Sequence, residues 1–194
     1  MITIVAFISR SHGYNALCGI IDESDYKLLK VYTHKLKPKS EDPDRAERED
    51  YQLFVEKCKE NKIPLEAIDS KSQSITNVPR CDFIIEISWR YLISEEIINK
   101  SSILGFGVHR GKLPEYAGSE PIKQALIKNE NEIILSAHHL AKKIDSGRII
   151  CTLSHPVNYD ISKTLEENIQ RLRDEITPLF SDIVKNTIIK YLKK

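Results

Sequence analysis

Leu104-Gly105-Phe106-Gly107-Val108-His109-Arg110-Gly111-Lys112-Leu113-Pro114-Glu115-Tyr116-Ala117-Gly118 runs from a short apolar stretch into a polar loop holding two glycines and a proline. The apolar residues 104–108 predict a strand that delivers His109 at its carboxyl end. The loop behind it can bring its backbone close to a ligand. Ser119-Glu120-Pro121 then starts a helix containing Ile122, Ala125 and Leu126, with proline suited to the first helical turn. Strand, loop and helix in that order form a unit, and other strands and helices alternate on either side of it.

Upstream, Cys81-Asp82-Phe83-Ile84-Ile85-Glu86-Ile87 predicts a central strand. It is followed by the exposed turn Ser88-Trp89-Arg90-Tyr91 and a short helix capped at Ser94-Glu95-Glu96. Residues 2–8 form a β-branched apolar run. The polar turn Ser9-Arg10-Ser11-His12-Gly13-Tyr14-Asn15 follows, then a helix carrying Leu17, Ile20 and Ile21. A second strand fits 28–34. Asp42-Pro43 opens a helix whose Tyr51, Phe54, Val55 and Cys58 share a face until Ile63-Pro64. The charge-dense run from Glu41 to Glu49 reads as a solvated face or as a binding patch.

Downstream, residues 133–140 and 148–153 predict two more strands. Thr164-Leu165-Glu166-Glu167 has the form of a capping box. Leu165, Ile169, Leu172, Ile176, Leu179 and Ile183 make an apolar stripe along a C-terminal helix that Pro178 must kink or split. The stripe is either core or the seam of a homodimer.

This alternation implies an α/β, Rossmann-like fold: a mostly parallel sheet with helices on both faces. With 194 residues and no linker or internal repeat, the chain reads as a single domain, 1–194. Such sheets bind ligands beyond the carboxyl ends of their strands, where segments 9–15, 88–91 and 109–118 would gather.

Lysine plus arginine total 29 against 28 acids, a net charge of +1 that makes no case for bulk nucleic-acid or anionic-membrane binding. Cys18, Cys58, Cys81 and Cys151 are too scattered for a zinc site or a disulfide scaffold, and fit a reducing cytoplasm. No metal is expected. The apolar N-terminus lacks a basic leader and is too short to span a bilayer.

Two residues in this pattern could carry chemistry, although a lone histidine also serves structure alone. His109 stands at a strand end, and Ile144-Asp145-Ser146-Gly147 forms an acidic glycine turn whose carboxylate could orient an imidazole. The turn needs no catalytic purpose by itself. Taken together, Gly107-Val108-His109, Leu113-Pro114, Tyr116-Ala117-Gly118, Pro121-Ile122 and Asp145-Ser146-Gly147 resemble the folate-dependent formyltransferases. That family's motif runs Asn-x-His, Leu-Pro, an aromatic and Gly, then Asp-x-Gly. The resemblance extends over nearly the whole chain, strongest from Asp82 to Pro178 and weak between Lys35 and Thr76.

The resemblance implies a formyltransferase fold and 10-formyltetrahydrofolate as the donor. His109 would handle protons and Asp145 would hold or polarise it. By position, Trp89, Arg90, Tyr91 and Leu92, together with His138, His139 and Leu140 in a loop reaching to Asp145, would surround the pterin. Ser9, Arg10, Ser11, Gly13 and Asn15 would face the acceptor amine, and Arg110 and Lys112 could meet an acceptor phosphate.

One position departs from the pattern. The family asparagine is Gly107 here, so a side-chain amide expected to donate to a developing oxyanion is missing. His138, His139, Arg110 or a water could replace it, or Gly107 could mark a relative that binds without turnover. His138-His139 also reads as one ring packed on each face of a strand.

Three branches compete for the acceptor. Glycinamide ribonucleotide formyltransferases match in length but carry a Gly-Asn-Gly-Ser-like phosphate turn that Ser9–Asn15 resembles only loosely. The methionyl-tRNA branch resembles Gly118-Ser119-Glu120-Pro121-Ile122 but implies a further domain to hold tRNA. The sugar N-formyltransferase branch resembles Ser88–Ile98 together with the histidine loop. It implies a nucleotide-linked amino sugar as acceptor, in the biosynthesis of lipopolysaccharide or other surface polysaccharide, and no nucleic-acid or membrane partner.

Overall fold

The computed structural model describes residues 1–193. Its elements are β1 (Ile2–Ile8), α1 (Arg10–Ile21), β2 (Tyr26–Thr33), α2 (Tyr51–Glu60), β3 (Leu65–Ala67), β4 (Cys81–Ile87), α3 (Glu95–Ile98), β5 (Ser101–His109), α4 (Pro121–Ile127), β6 (Glu132–His139), β7 (Ile149–Pro156), α5 (Leu165–Ile176) and α6 (Leu179–Leu192). The strands form one sheet in the order β3-β2-β1-β4-β5-β6-β7. Pairing is parallel from β3 to β5, and β6 and β7 join antiparallel. The expectation of a mostly parallel α/β sheet holds, with an antiparallel edge added.

β1 sits centrally because nothing in it needs water: Ile4 through Ile8 are fully buried. One face of the sheet packs against α1, α2, α4, α5 and α6, whose apolar residues form one core with Ile4, Phe83 and Phe106. The other face is covered by the one-turn helix α3 and by loops, with Phe7, Tyr32, Ile68, Ile84, Ile93 and Ile97 inside. Helices on both faces is therefore true only by virtue of α3. The long return from β3 to β4 covers that face as loop.

Three local readings change. The turn foreseen at 9–15 shrinks to Ser9, an extended N-cap whose N–H donates to Ile87 O at 3.0 Å, and α1 starts at Arg10. Asp42 does not open a helix. Its carboxylate accepts from the N–H of Asp44 and Ala46, both at 2.9 Å, and this turn competes with helix formation until Tyr51. The segment 88–91 is half-buried rather than exposed.

The capping box forms: Thr164 caps Glu167 N–H while Glu167 accepts from Thr164 N. Pro178 splits the C-terminal helix into α5 and α6. Ile169, Leu172, Ile176 and Ile183 are buried in the core, so the apolar stripe is consumed within the chain rather than presented as a seam. Among the described residues no helix is long and apolar enough to cross a membrane.

Candidate active site

The carboxyl ends of β1, β4, β5 and β6 open into a cavity of about 360 Å³. Its apolar wall includes Trp89, Tyr91, Leu92, Ile93, Leu140 and Ile144, and its polar wall includes Arg10, Glu86, His109, Arg110, His138 and Asp145. Three non-glycine residues on this wall hold left-handed backbone: Arg10 at φ 64°, Ser88 at φ 55° and Asp145 at φ 54°. Such conformations cost about 1–3 kcal/mol each and persist where surrounding structure enforces them, characteristically at functional sites.

The loop after β4 is held from below. His34 stacks on Trp89 at 4.1 Å between ring centroids, and Tyr91 meets both rings edge-on. His34 Nδ1 donates to Ile68 O, and its Nε2 accepts the Arg90 N–H at 3.1 Å, which assigns a neutral ring. Burial pushes its pKa down to about 3, in keeping with that assignment. His34 thus fixes the backbone of the segment that lines the cavity.

His109 and Asp145 are brought together. His109 Nδ1 lies 3.3 Å from Asp145 Oδ2, with both side chains about nine-tenths buried. Nε2 lies 2.7 Å from Tyr116 O, so it carries the ring proton, and Nδ1 is the nitrogen left to gain or lose one. Asp145 is the carboxylate that faces that nitrogen. The carboxylate is itself placed by Gly118 N–H, which donates to Oδ2 at 3.1 Å. Gly147 lets the loop fold back on β6, since a Cβ there would sit 1.7 Å from His139 O.

Gly107 pairs with Glu86 on β4 and with His138 on β6, so the three residues form one row across the sheet, on one face. A Cβ at 107 would lie 2.7 Å from Glu86 Oε2 and 3.0 Å from His138 Nε2. The space above Gly107 is therefore bordered by its cross-strand neighbours. Glu86 Oε1 accepts the Trp89 N–H at 2.9 Å. Burial pushes the Glu86 pKa up to about 8, against the Trp89 hydrogen bond and with help from the nearby Asp145 charge. His138 is lowered, again chiefly by burial. Its Nε2 stands 3.5 Å from Asp145 Oδ1 and makes no hydrogen bond among the described residues.

Of the residues singled out in the sequence, Trp89, Tyr91, Leu92, His138, Leu140, Arg10 and Arg110 line the cavity with His109 and Asp145. The others do not. Arg90 turns away, its guanidinium donating to Leu36 O at 2.6 Å. His139 projects to the opposite face, where its Nε2 accepts from Tyr191 OH at 2.7 Å. Ser9 is buried and donates to Ser88 O, Gly13 packs against Ile8, and Asn15 accepts the Ser181 N–H that opens α6. Ser11 is exposed, and Lys112 pairs with Glu115 at 3.6 Å, outside the cavity wall. For residues 11–15 the cause is that α1 begins at Arg10, so they alternate around a helix instead of gathering in a turn.

Glu86 and Phe180 line the cavity without having been foreseen, whereas Lys143 and Ile144 lie in the 138–145 loop expected around the pterin. Glu86 had a signal, an acid near the end of an apolar strand. The guanidiniums of Arg10 and Arg110 make the cavity's cationic edge. Arg10 pairs with Glu41, whereas no carboxylate pairs with Arg110 among the described residues. Burial, then Arg173 and Arg10, lowers Arg110 to about 10. Buried His12, its ring tilted against Phe180 at 4.7 Å between centroids, is pushed down to about 3 by burial and then by Arg110, Arg173 and Arg10. The described residues contain no cluster of three or more His, Cys, Asp or Glu placed to hold a metal.

This geometry has relatives. The methionyl-tRNA formyltransferase of Staphylococcus epidermidis is 28% identical over 120 residues, which cover 62% of this chain and 37% of the relative. The chain spans about a third of the length of the curated relatives it matches in this way. Phosphoribosylglycinamide formyltransferase from Bacillus halodurans superposes with a TM-score of 0.71 at 21% identity, over 99% of this chain and 96% of that one. WlaRD, a sugar 3N-formyl transferase crystallised with dTDP and 5-N-formyl-THF, superposes with a TM-score of 0.63 at 20% identity, over 98% and 64%. At these identities the structural likeness establishes the fold alone. The formyl transferase family model, however, matches residues 3–184, and on that match the chain belongs to the formyl transferase family.

Proposed function

We propose that the protein transfers the formyl group of 10-formyltetrahydrofolate to a primary amine, and that the amine belongs to a nucleotide-linked amino sugar used in surface polysaccharide synthesis in the cytoplasm. The observation that carries the transfer reading is the His109–Asp145 pair set in the wall of an otherwise apolar, aromatic cavity. The residues present fit a folate. Trp89, Tyr91 and Leu140 offer apolar surface for a ring, and the buried His138 Nε2, which makes no hydrogen bond among the described residues, offers a polar contact beside it.

In the reaction a nitrogen–carbon bond forms between the amine and the formyl carbon, and the bond from that carbon to N10 of the folate breaks. The amine loses a proton and N10 gains one. His109 Nδ1 is placed to take the first and return the second, with Tyr116 O holding the ring and Asp145 stabilising its charged state.

Arg110 supports a phosphate-bearing acceptor, because a half-buried guanidinium with no carboxylate partner among the described residues is suited to an anionic ligand, and Arg10, paired with Glu41, stands on the same wall. Substitution of Arg110 by alanine should raise the KM for such an acceptor roughly tenfold and leave the donor KM unchanged. Steady-state kinetics with each substrate varied in turn would show it. Acceptor identity is tested by incubating the protein with 10-formyltetrahydrofolate and amino-sugar nucleotides, glycinamide ribonucleotide or methionyl-tRNA, and seeking the mass gain of one formyl group. Formylation of either of the last two, and of no sugar, would overturn the sugar assignment.

His34 provides a further check on the folate side. His34→Leu keeps the bulk but removes both ring nitrogens, freeing Arg90 N–H and Ile68 O. It should weaken binding of a folate analogue about tenfold, the effect of one lost buried hydrogen bond transmitted through the loop. Calorimetric titration would measure it, and unchanged affinity would remove the 88–92 segment from the donor site.

A further inference from the structure

Glu86 and Asp145 are the acidic side chains in the cavity wall among the described residues, and the reading above uses only Asp145. Glu86 Oε1 is occupied by the Trp89 N–H. Oε2 makes no hydrogen bond among the described residues and borders the space above Gly107, which His138 Nε2 borders from the other side. A side chain at 107 would have to occupy that space. We infer that Glu86 is the hydrogen-bond donor to the formyl oxygen during transfer, reaching from β4 the place that a side chain on β5 would otherwise fill.

This assignment rests on the formyl-transfer reading. The chemistry follows from the protonation state. A carboxylate would repel charge building on that oxygen, whereas a carboxylic acid donates a hydrogen bond to it. Burial chiefly, and the charge of Asp145 in the β6–β7 loop, oppose ionisation, against the Trp89 hydrogen bond. His138 on β6 and His109 on β5 face the same cavity, and Arg10, Arg110 and Lys143 stand on its wall. No bond to Glu86 is made or broken: its proton stays on the carboxyl while the amine and N10 exchange theirs through His109.

The test uses the whole protein with 10-formyl-5,8-dideazafolate, a stable donor analogue labelled with carbon-13 in the formyl group, and reads the carbonyl stretch by difference infrared spectroscopy. In the native protein the band should shift to lower frequency on binding, and the shift should fade as pH rises through about 8. Glu86→Gln should keep the shift at every pH. Glu86→Ala should abolish it and slow formyl transfer about a hundredfold. Adding Gly107→Asn to Glu86→Ala, which removes the nearer of the two contacts and leaves the His138 ring to shift by a few tenths of an ångström, should restore both.

Binding without a band shift in the native protein would overturn the assignment and leave the folate site standing, as would an equal shift in Glu86→Ala. Failure of the native protein to bind the analogue at all would overturn the folate reading itself, and this inference with it. If Glu86→Ala does not fold, Glu86→Gln still decides: a band that titrates in the glutamine variant as in the native protein excludes Glu86 as the donor.

Discussion

Replacing His109 with alanine is expected to slow formyl transfer by roughly 10²- to 10⁴-fold while leaving the affinity for a folate analogue within a factor of a few. The expectation follows from where the ring's contacts go. Nε2 is tied to Tyr116 O and Nδ1 faces Asp145, so the ring contributes little to ligand contact and much to proton placement. Asp145→Asn should reduce the rate by a comparable factor, since an amide can still accept from Gly118 N–H but cannot stabilise a charged imidazole. The double variant should be little slower than either single one, because residues acting as a unit do not contribute additively. Single-turnover kinetics with labelled donor, alongside analogue binding, would separate these effects. If His109→Ala transferred formyl at the native rate, the assignment of this pair would be wrong whatever the acceptor.

The parts of the fold legible in the sequence are those whose signal is local. The apolar runs of β1, β4 and β5 are long enough to bury on both faces, and the Thr164–Glu167 box and Pro178 act on their own neighbours. The direction of β6 and β7 was not legible, since strand direction depends on pairing and not on composition. Only the alternating burial of β7, in which every second residue faces out, hints at an edge strand. The Lys35–Asp50 segment was misread because Asp42 next to Pro43 suits a helix start as well as the turn it makes. Nothing in the sequence indicates which backbone N–H groups its carboxylate captures.

The site divides in the same way. His109 and Asp145 each sit beside turn-forming glycines, and such punctuation is visible in one dimension. The absence of a side chain at Gly107 was equally visible. What stands beside it was not, because Glu86 and His138 are neighbours of Gly107 only through the register of β4, β5 and β6. His138 and His139 show the same dependence. Adjacent residues on a strand face opposite ways, so one lines the cavity and the other meets Tyr191 on α6.

That register has an energetic consequence. Glu86→Gln should make the protein more stable at neutral pH, and the gain should vanish toward pH 4.5. A group whose folded pKa is raised binds its proton more tightly in the native state. Its contribution is therefore fully present below the unfolded value of 4.5 and is lost progressively as pH rises to the folded value of about 8. Across that window the native protein keeps a carboxyl protonated that the unfolded chain would ionise. At pH 7 the deficit is on the order of 3 kcal/mol. Glutamine carries no proton to lose, preserves an acceptor for Trp89 N–H and fills the same space beside Gly107. Thermal melts should show Glu86→Gln ahead of the native protein by roughly 5–10 °C at pH 7, with the two curves converging near pH 4.5. A difference that stays constant from pH 4.5 to 8 would mean that the carboxyl ionises normally in the folded protein. In that case Glu86 would be an anion beside Asp145 and could not donate to the formyl oxygen.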